Sequence, residues 1–423
     1  MTFEELTEVL FARSNFGVKL GLERMREACA LLGNPERSAP ALHVAGTNGK
    51  GSTCAFAEAS LRAAGLRTGL YTSPHLSHFC ERIRLDGEPL SEQAACDLLE
   101  EVRARVPWAL DEAGLTFFEL ATLLAFLAFT RAGVGAAVIE VGLGGRLDAT
   151  NVVQPMACAV SALGLEHTQY LGPTLAHIAA EKAGIFKPYA AAVSAGQPRA
   201  AAEVLQRAAD QAGVRLLRPG RDYRFESRPG HAFAYCGPRW EVRPASLGLA
   251  GHHQHANAAL ACALLEASGL ALAPRDLEAG LAATRWPARL ERFGQVYVDG
   301  AHNPHAAVAL ARALPEVARG RPLHVVFGAL ADKDAAAMLA VLAPLAASVH
   351  YCAPGSPRAT PPEALARLAP GAVHESPAAA LEAARREAGE GGLVLCCGSL
   401  YLAGELRRIL LHQSPLSMPG ERL

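Results

Sequence analysis

Four short stretches hold the residue types that chemistry needs. The first, HVAGTNGKGST (43–53), ends an apolar run, passes through a Gly-rich loop with one lysine and enters a helical pattern. Glycines let a backbone approach a phosphate closely, and successive N–H groups at a helix start supply positive potential. Gly46, Thr47, Asn48, Gly49, Lys50, Gly51 and Ser52 are therefore the candidate phosphate cradle. Lys50 would reach the terminal phosphates, and Ser52 or Thr53 would touch a metal or phosphate. The loop is a variant, G-x-x-G-K-G-S, because Val44 stands where standard spacing puts the first glycine. A tight strand-to-helix turn is the plain alternative.

The second stretch, VIEVGLGGRLDATN (138–151), sets Glu140 at the end of a buried strand, just before Gly142, Gly144 and Gly145. Carboxylates placed so beside a phosphate loop commonly hold Mg²⁺ directly or through water. In the third, LGLEHTQYLGPTLAHIAAEKAGIFKP (163–188), His167 follows another apolar run and Lys182 lies in a mostly apolar helix. Taken alone, His167 is a polar loop residue and Lys182 a snorkelling surface cation. Composition shifts the weight for the lysine. The chain has 35 arginines and only 5 lysines, so a lysine that remains can mark a place where Arg will not serve. In the fourth, YTSPHLSHFCERI (71–83), Ser73 has the hydroxyl of a hard-cation ligand, and a plain turn explains Ser-Pro equally well.

GHHQHAN (251–257) has three histidines within four positions. With no Cys or acid at ligand spacing, it reads as a polar helix start rather than a zinc site. Asn257 is a candidate hydrogen-bonding group for a base or phosphate. Further on, VDGAHNPHA (298–306) sets Asp299, His302 and Asn303 after a strand. FGALADKD (327–334) sets Asp332, Lys333 and Asp334 after the next, and CCGSLYLAG (396–404) sets Ser399 after the last. Three polar loops at strand C-terminal ends describe a binding edge in an open α/β sheet.

The elements that must position these residues alternate. ALHVAG, LRTGLYT, AAVIEVG and PMACAVSALG read as strands, with helical patterns between them. That rhythm means a parallel sheet with helices on its faces. ELATLLAFLAFTRAG is almost wholly apolar, so a buried helix is expected. RDYRFES, HAFAYC and RWEVRP break the rhythm as a small antiparallel ribbon. TRWPARLERFG (284–294) suits a linker, after which the strand–helix rhythm restarts for about 120 residues. The expected fold is thus α/β with two domains.

Composition bounds the function. Apolar residues make up 51% and charged residues 19%, ample for a core and against disorder. Forty basic residues against forty-one acidic ones give a net charge of -1, with no nucleic-acid footprint. LATLLAFLAFT (120–130) is too short to span a bilayer, so no membrane association is expected. MTFEELTEVLFARSNF has early acids and no cationic segment, unlike a signal peptide. The ten cysteines show no C-x-x-C pair and read as reduced thiols of a cytoplasmic protein.

VAGTNGKGST, TSPHL, FFELAT, EVGLGGRLDATN, EHTQYLG, EKAGIFKP, DGAHNPHA and DKD, in that order over about residues 15–410, resemble the folylpolyglutamate synthase and dihydrofolate synthase family. That family belongs to the Mur ligase superfamily of ATP-dependent amide ligases. The resemblance implies an N-terminal P-loop-type ATPase domain over 1–285, a linker over 286–294 and a Rossmann-like C-terminal glutamate-ligase domain over 295–423. It implies ATP on residues 46–52, and two Mg²⁺ ions on Ser73, Glu140, His167 and a carboxylated Lys182. A carbamate forms only on a neutral amine, so a buried lysine is needed and Arg will not substitute. Asn257, Arg289 and Asp299 match nucleotide contacts, with His302 beside them as a catalytic candidate together with Lys50 and Lys182. Ala288 stands where the family usually has Gly. Thr116, Phe117, Phe118, Glu119, Asp148, Ala149 and Asn151 match the region receiving the pterin, with Val18 and Leu20 as apolar walls. By looser analogy Lys333 and Ser399 would face L-glutamate. The acceptor is dihydropteroate, a reduced folate, or both, and a monomer is expected. Two alternatives stand beside this reading: a Mur-type ligase acting on another carboxylate, and a nucleotide-binding protein without ligase chemistry.

Overall fold

Short apolar runs bounded by glycine and proline become parallel strands here because helices cover the sheet. The computed structural model describes residues 1–13, 21–226 and 232–413, and Val18 and Leu20 lie outside them. The described chain divides into two compact units: residues 1–248 with 255–284, and residues 249–254 with 285 onward.

The first unit is built on β1 (Ala41–Ala45), β2 (Thr68–Tyr71), β3 (Ile83–Leu85), β4 (Glu88–Pro89), β5 (Ala136–Glu140), β6 (Ala157–Val160), β7 (Ala191–Ser194) and β8 (Leu216–Leu217). Their order is β4-β3-β2-β5-β1-β6-β7-β8. From β2 to β8 every neighbouring pair is parallel. β3 and β4 add an antiparallel edge that the strand–helix alternation did not reveal. Every residue of β1, β5 and β6 is buried, which is why these runs carry no polar alternation. In register, Val44 of β1 stands beside Glu140 of β5 and Ala159 of β6, so these three strands end level at one edge.

The apolar helix expected near residue 120 spans Phe117–Ala132 and is buried over most of its length. Thr116 caps it. The Thr116 hydroxyl accepts from Glu119 N, and the Glu119 carboxylate accepts from Thr116 N. Leu120, Leu123, Leu124 and Phe126 then fill the unit's largest core. The expected ribbon is present as β9 (Arg224–Glu226), β10 (Ala234–Cys236) and β11 (Glu241–Val242), all antiparallel. Among the described residues no helix is long and apolar enough to cross a membrane.

The second unit holds β12 (Glu291–Phe293), β13 (Val296–Val298), β14 (Leu323–Phe327), β15 (Ser348–Tyr351), β16 (Ala372–Val373) and β17 (Leu393–Cys397). Their order is β12-β13-β17-β14-β15-β16, parallel except for the β12–β13 hairpin. Part of the segment expected as a linker is therefore a strand, because β12 folds back on β13. The approach to it is tight: Ala288 has φ 53° and Leu290 φ 47°, both left-handed. Ala288 O accepts from Gly300 N at 2.8 Å, and Leu290 N donates to the Asp299 carboxylate at 2.9 Å. These bonds hold a conformation that a Cβ disfavours.

A left-handed alanine costs about 1–2 kcal/mol, and glycine returns about 0.5–1 kcal/mol of that as unfolded-state entropy. Glycine also gives up the buried methyl, worth about 0.8 kcal/mol, so Ala288→Gly is expected to leave the urea midpoint nearly unchanged at unchanged slope. A loss of more than about 1 kcal/mol would contradict the strain.

Candidate active site

The Gly-rich loop follows β1 and opens the helix Lys50–Ala63. Thr47 N and Asn48 N both donate to Ala162 O, at 3.1 and 3.0 Å, which pins the loop to the chain leaving β6. The Thr47 hydroxyl donates to Gly164 O at 3.1 Å. Gly46 has φ 152° and Gly49 φ 87°. A Cβ at Gly46 would collide with Ser161 Oγ, and one at Gly49 with the Asn257 carboxamide. Both positions thus need glycine for backbone conformation and for space. Asn257, on the helix His252–Ser268, lies against Gly49 of the loop.

Lys50 Nζ lies 3.7 Å from Glu140 Oε1 and donates to Thr47 O at 3.4 Å. Glu140 is the last residue of β5 and buried, and its other oxygen accepts from Ser73 N at 3.3 Å. Lys50, Glu140 and Ser73 therefore meet at one edge. Ser52 Oγ and Thr53 Oγ1, in the first helical turn, are buried without a partner among the described residues. Buried orphan hydroxyls cost free energy unless a ligand or water meets them. A buried carboxylate and hydroxyl oxygens beside a lysine are the hard donors that Mg²⁺ and phosphate take, so these residues fit a magnesium–nucleotide.

Lys182 is buried on the helix Leu175–Ala183. Burial, with the charge of Lys50, brings its amine down to about 7, against the opposing pull of Glu166, Asp148 and Glu140. What brings the helix to the site is the loop after β5. Arg146 N donates to Glu181 O at 2.8 Å, and the Arg146 guanidinium pairs with the Glu181 carboxylate at 2.9 Å. Asp148 folds that loop from inside: one oxygen accepts from Gly142 N and Leu143 N, the other from Thr150 N and the Thr150 hydroxyl. His167 has φ 51° and caps the short helix Thr168–Leu171, one residue after Glu166. Residue types alone did not single out Glu166 or Ser161. The only available signal was position just after β6, and that is shared with ordinary loop residues.

The FFE run splits by burial. Phe117 is core, stacked on Phe11 at 5.5 Å with the buried Arg82 guanidinium over its ring at 4.9 Å. Phe118 is half-buried, 6.0 Å from the Tyr71 ring. Buried Glu119 pairs with Arg24 at 2.9 Å. Ala149 and Asn151 sit buried in the turn Ala149–Val152, where Asn151 donates to Arg146 O and Gly184 O.

In the second unit Asp299 follows β13 and accepts from Leu290 N and Ala301 N, both at 2.9 Å. Arg289 donates to Ala288 O at 2.8 Å, and a His302 ring nitrogen lies 2.8 Å from Gly300 O. Lys333 follows β14, 3.6 Å from Asp332. Ser399 follows β17 and caps the helix Leu400–Leu410, accepting from Tyr401 N. Strands β13, β17 and β14 are adjacent, so Asp299, Ser399 and Lys333 share the carboxyl edge of one sheet.

Residues 44–265 match the family described as Mur ligase middle domain, and residues 288–400 match Mur ligase, glutamate ligase domain. A dihydrofolate synthase/folylpolyglutamate synthase of Escherichia coli is 37% identical over 93% of this chain and 92% of its own length. A probable bifunctional folylpolyglutamate synthase/dihydropteroate synthase of Halobacterium salinarum is 38% identical over 96% of this chain. The chain spans 51% of that relative, about half its length. The structure of Escherichia coli FolC in complex with DHPP and ADP superposes with a TM-score of 0.90 at 33% identity, covering 97% of this chain and 98% of that one.

Gly49→Ala is expected to destabilise the protein by more than the roughly 1–2 kcal/mol of left-handed strain, because the new methyl also strikes Asn257. Combining it with Asn257→Ala is expected to recover part of the loss, so the two changes are not additive. Strict additivity in urea melts would contradict the contact.

Proposed function

The chain belongs to the folylpolyglutamate synthase/dihydrofolate synthase family of Mur ligases, and from that membership we propose that it is an ATP-dependent ligase joining L-glutamate to dihydropteroate, reduced folates, or both. The observation that carries the reading is the convergence of Lys50, Glu140 and a buried Lys182 of lowered pKa behind one Gly-rich loop. A buried lysine whose amine is readily neutral suits carbamate formation, which a plain nucleotide switch does not require.

The acceptor's carboxylate oxygen attacks the γ-phosphorus of ATP, and ADP leaves. The glutamate amine then attacks the acyl carbon of the resulting acyl phosphate. Phosphate leaves, the nitrogen loses its proton and an amide remains. Phosphoryl transfer asks mainly for positioning and charge neutralisation. The N–H groups of Lys50, Gly51 and Ser52 at the helix start orient the phosphates, and Lys50 offsets charge that develops on the transferred group. Glu140, with Ser73, His167 and a carboxylated Lys182, would hold two Mg²⁺ ions, which supply Lewis-acid charge stabilisation on the phosphate oxygens. Neutral Lys182 gains a carboxylate by adding CO₂ and releasing a proton, and burial favours that neutral form. Asn257, Arg289 and Asp299 are the proposed nucleotide contacts, with His302 beside them. Half-exposed Phe118 offers a ring face to the pterin, with Thr116, Glu119 and the Asp148–Ala149 turn near it. Phe117 serves from the core behind. Lys333 and Ser399 are proposed to receive the glutamate carboxylates.

ADP release should require glutamate together with an acceptor, tested with dihydropteroate and a reduced folate separately. Release independent of glutamate would overturn the ligase reading in favour of a plain nucleotide hydrolase. Lys50→Ala should lower turnover by at least about 100-fold, the scale on which lost charge stabilisation acts. Lys182→Arg should do the same in protein shown by circular dichroism to be folded, whereas an active Lys182→Arg protein would remove the carbamate.

A further inference from the structure

Strand alternation sends neighbouring side chains of the second unit's sheet to opposite faces. Leu323, Val325, Phe327, Val349 and Tyr351 enter the apolar core. His324 and His350 therefore point to the opposite face, where the helix Pro377–Ala388 packs on β14 and β15. Register sets His324 beside Ser348, and His374 follows the end of β16. Glu387, in the last turn of that helix, reaches back over the group.

The side chains converge closely. His324 Nδ1 lies 3.7 Å from Glu387 Oε2, and His350 Nε2 lies 3.4 Å from the same oxygen. All three donor atoms lie within 4.8 Å of one another. Ser348 Oγ stands between the rings, 2.8 Å from His324 Nδ1 and 2.9 Å from His350 Nε2. The second nitrogen of His350, Nδ1, is 3.0 Å from His374 Nε2. His350 is fully buried, whereas Glu387 is 51% exposed and leaves an ion a way in.

We propose that His324, His350 and Glu387 form a site for one divalent transition-metal ion of the zinc class, separate from the nucleotide chemistry. Zinc takes imidazole nitrogen and carboxylate oxygen at about 2.0–2.2 Å, which in a tetrahedron puts ligand atoms about 3.3–3.5 Å apart. The two histidine-to-glutamate separations already lie at or near that spacing. Water or the Ser348 hydroxyl supplies the fourth ligand. His374 plays the outer-shell part, accepting the proton on His350 Nδ1 and so turning the Nε2 lone pair inward.

The rival is a hydrogen-bonded network without metal. There, Ser348 donates its one proton to Glu387 while both imidazoles donate N–H groups to the hydroxyl. The two readings differ in tautomer and in metal affinity. The test is equilibrium dialysis of untagged protein against Zn²⁺ in excess Mg²⁺, which occupies hard-oxygen sites. Wild type, Glu387→Gln and His324→Gln are compared, with circular dichroism and zinc-free turnover as checks on folding. Wild type should retain one Zn²⁺ that each variant binds at least about tenfold more weakly. Co²⁺ should give wild type a visible band of tetrahedral type that Glu387→Gln lacks. Equal Zn²⁺ retention by all three proteins, or none by wild type, would overturn the site and leave the network. Glu387 is half exposed, so its amide variant keeps the test open if His324→Gln fails to fold.

Discussion

Parallel strands deliver their carboxyl ends to one edge, and the arrangement of the candidate active site depends on that constraint. In the first unit β5, β1 and β6 are immediate neighbours although β1 and β5 are separated by nearly a hundred residues. The Gly-rich loop after β1, Glu140 at the end of β5 and the turn carrying Glu166 and His167 after β6 are thus brought level. The second unit repeats the device: β13, β17 and β14 hold Asp299, Ser399 and Lys333 along one edge. No single long-range contact does this. Backbone ladders do, and the buried apolar faces fix their register.

The second organising force is the cost of burying charge. Lys182 sits in the interior with a lowered pKa, near another lysine and three carboxylates. Such a cation is expensive when isolated. Its placement makes sense where the neutral amine is the useful form, and that fits a residue modified before it works. The same economy of burial holds at Asp148, where desolvation raises the carboxyl and four donors draw it back. That arrangement shapes the loop which carries Arg146 to the Lys182 helix.

Much of this was legible in residue order. The Gly-rich loop, the apolar strands and the apolar helix over Phe117–Ala132 each depend on neighbours within a few residues, where propensity and periodicity operate. So do the caps: Thr116 with Glu119 three positions later spells a helix start that the structure contains. The edge hairpin of β3 and β4 escaped because two-residue and three-residue strands carry no period to read. β12 escaped because its partner across the hairpin, not its composition, makes it a strand.

Other features belong to tertiary structure alone. Phe117 and Phe118 are chemically identical neighbours, and only packing decides that one is core and the other half-exposed. Ala288 gives no local sign of its left-handed backbone, which the bonds from Gly300 and around Leu290 impose. His324, His350 and Glu387 show no ligand spacing, since a helix and two strands separated in the chain bring them together. The sequence by itself determined the family, most of the strand–helix alternation and the glycines of the loop after β1, because these rest on local pattern. Burial, which sets the pKa of Lys182 and sorts one aromatic ring from the next, depends on distant parts of the chain and was decided only when they packed.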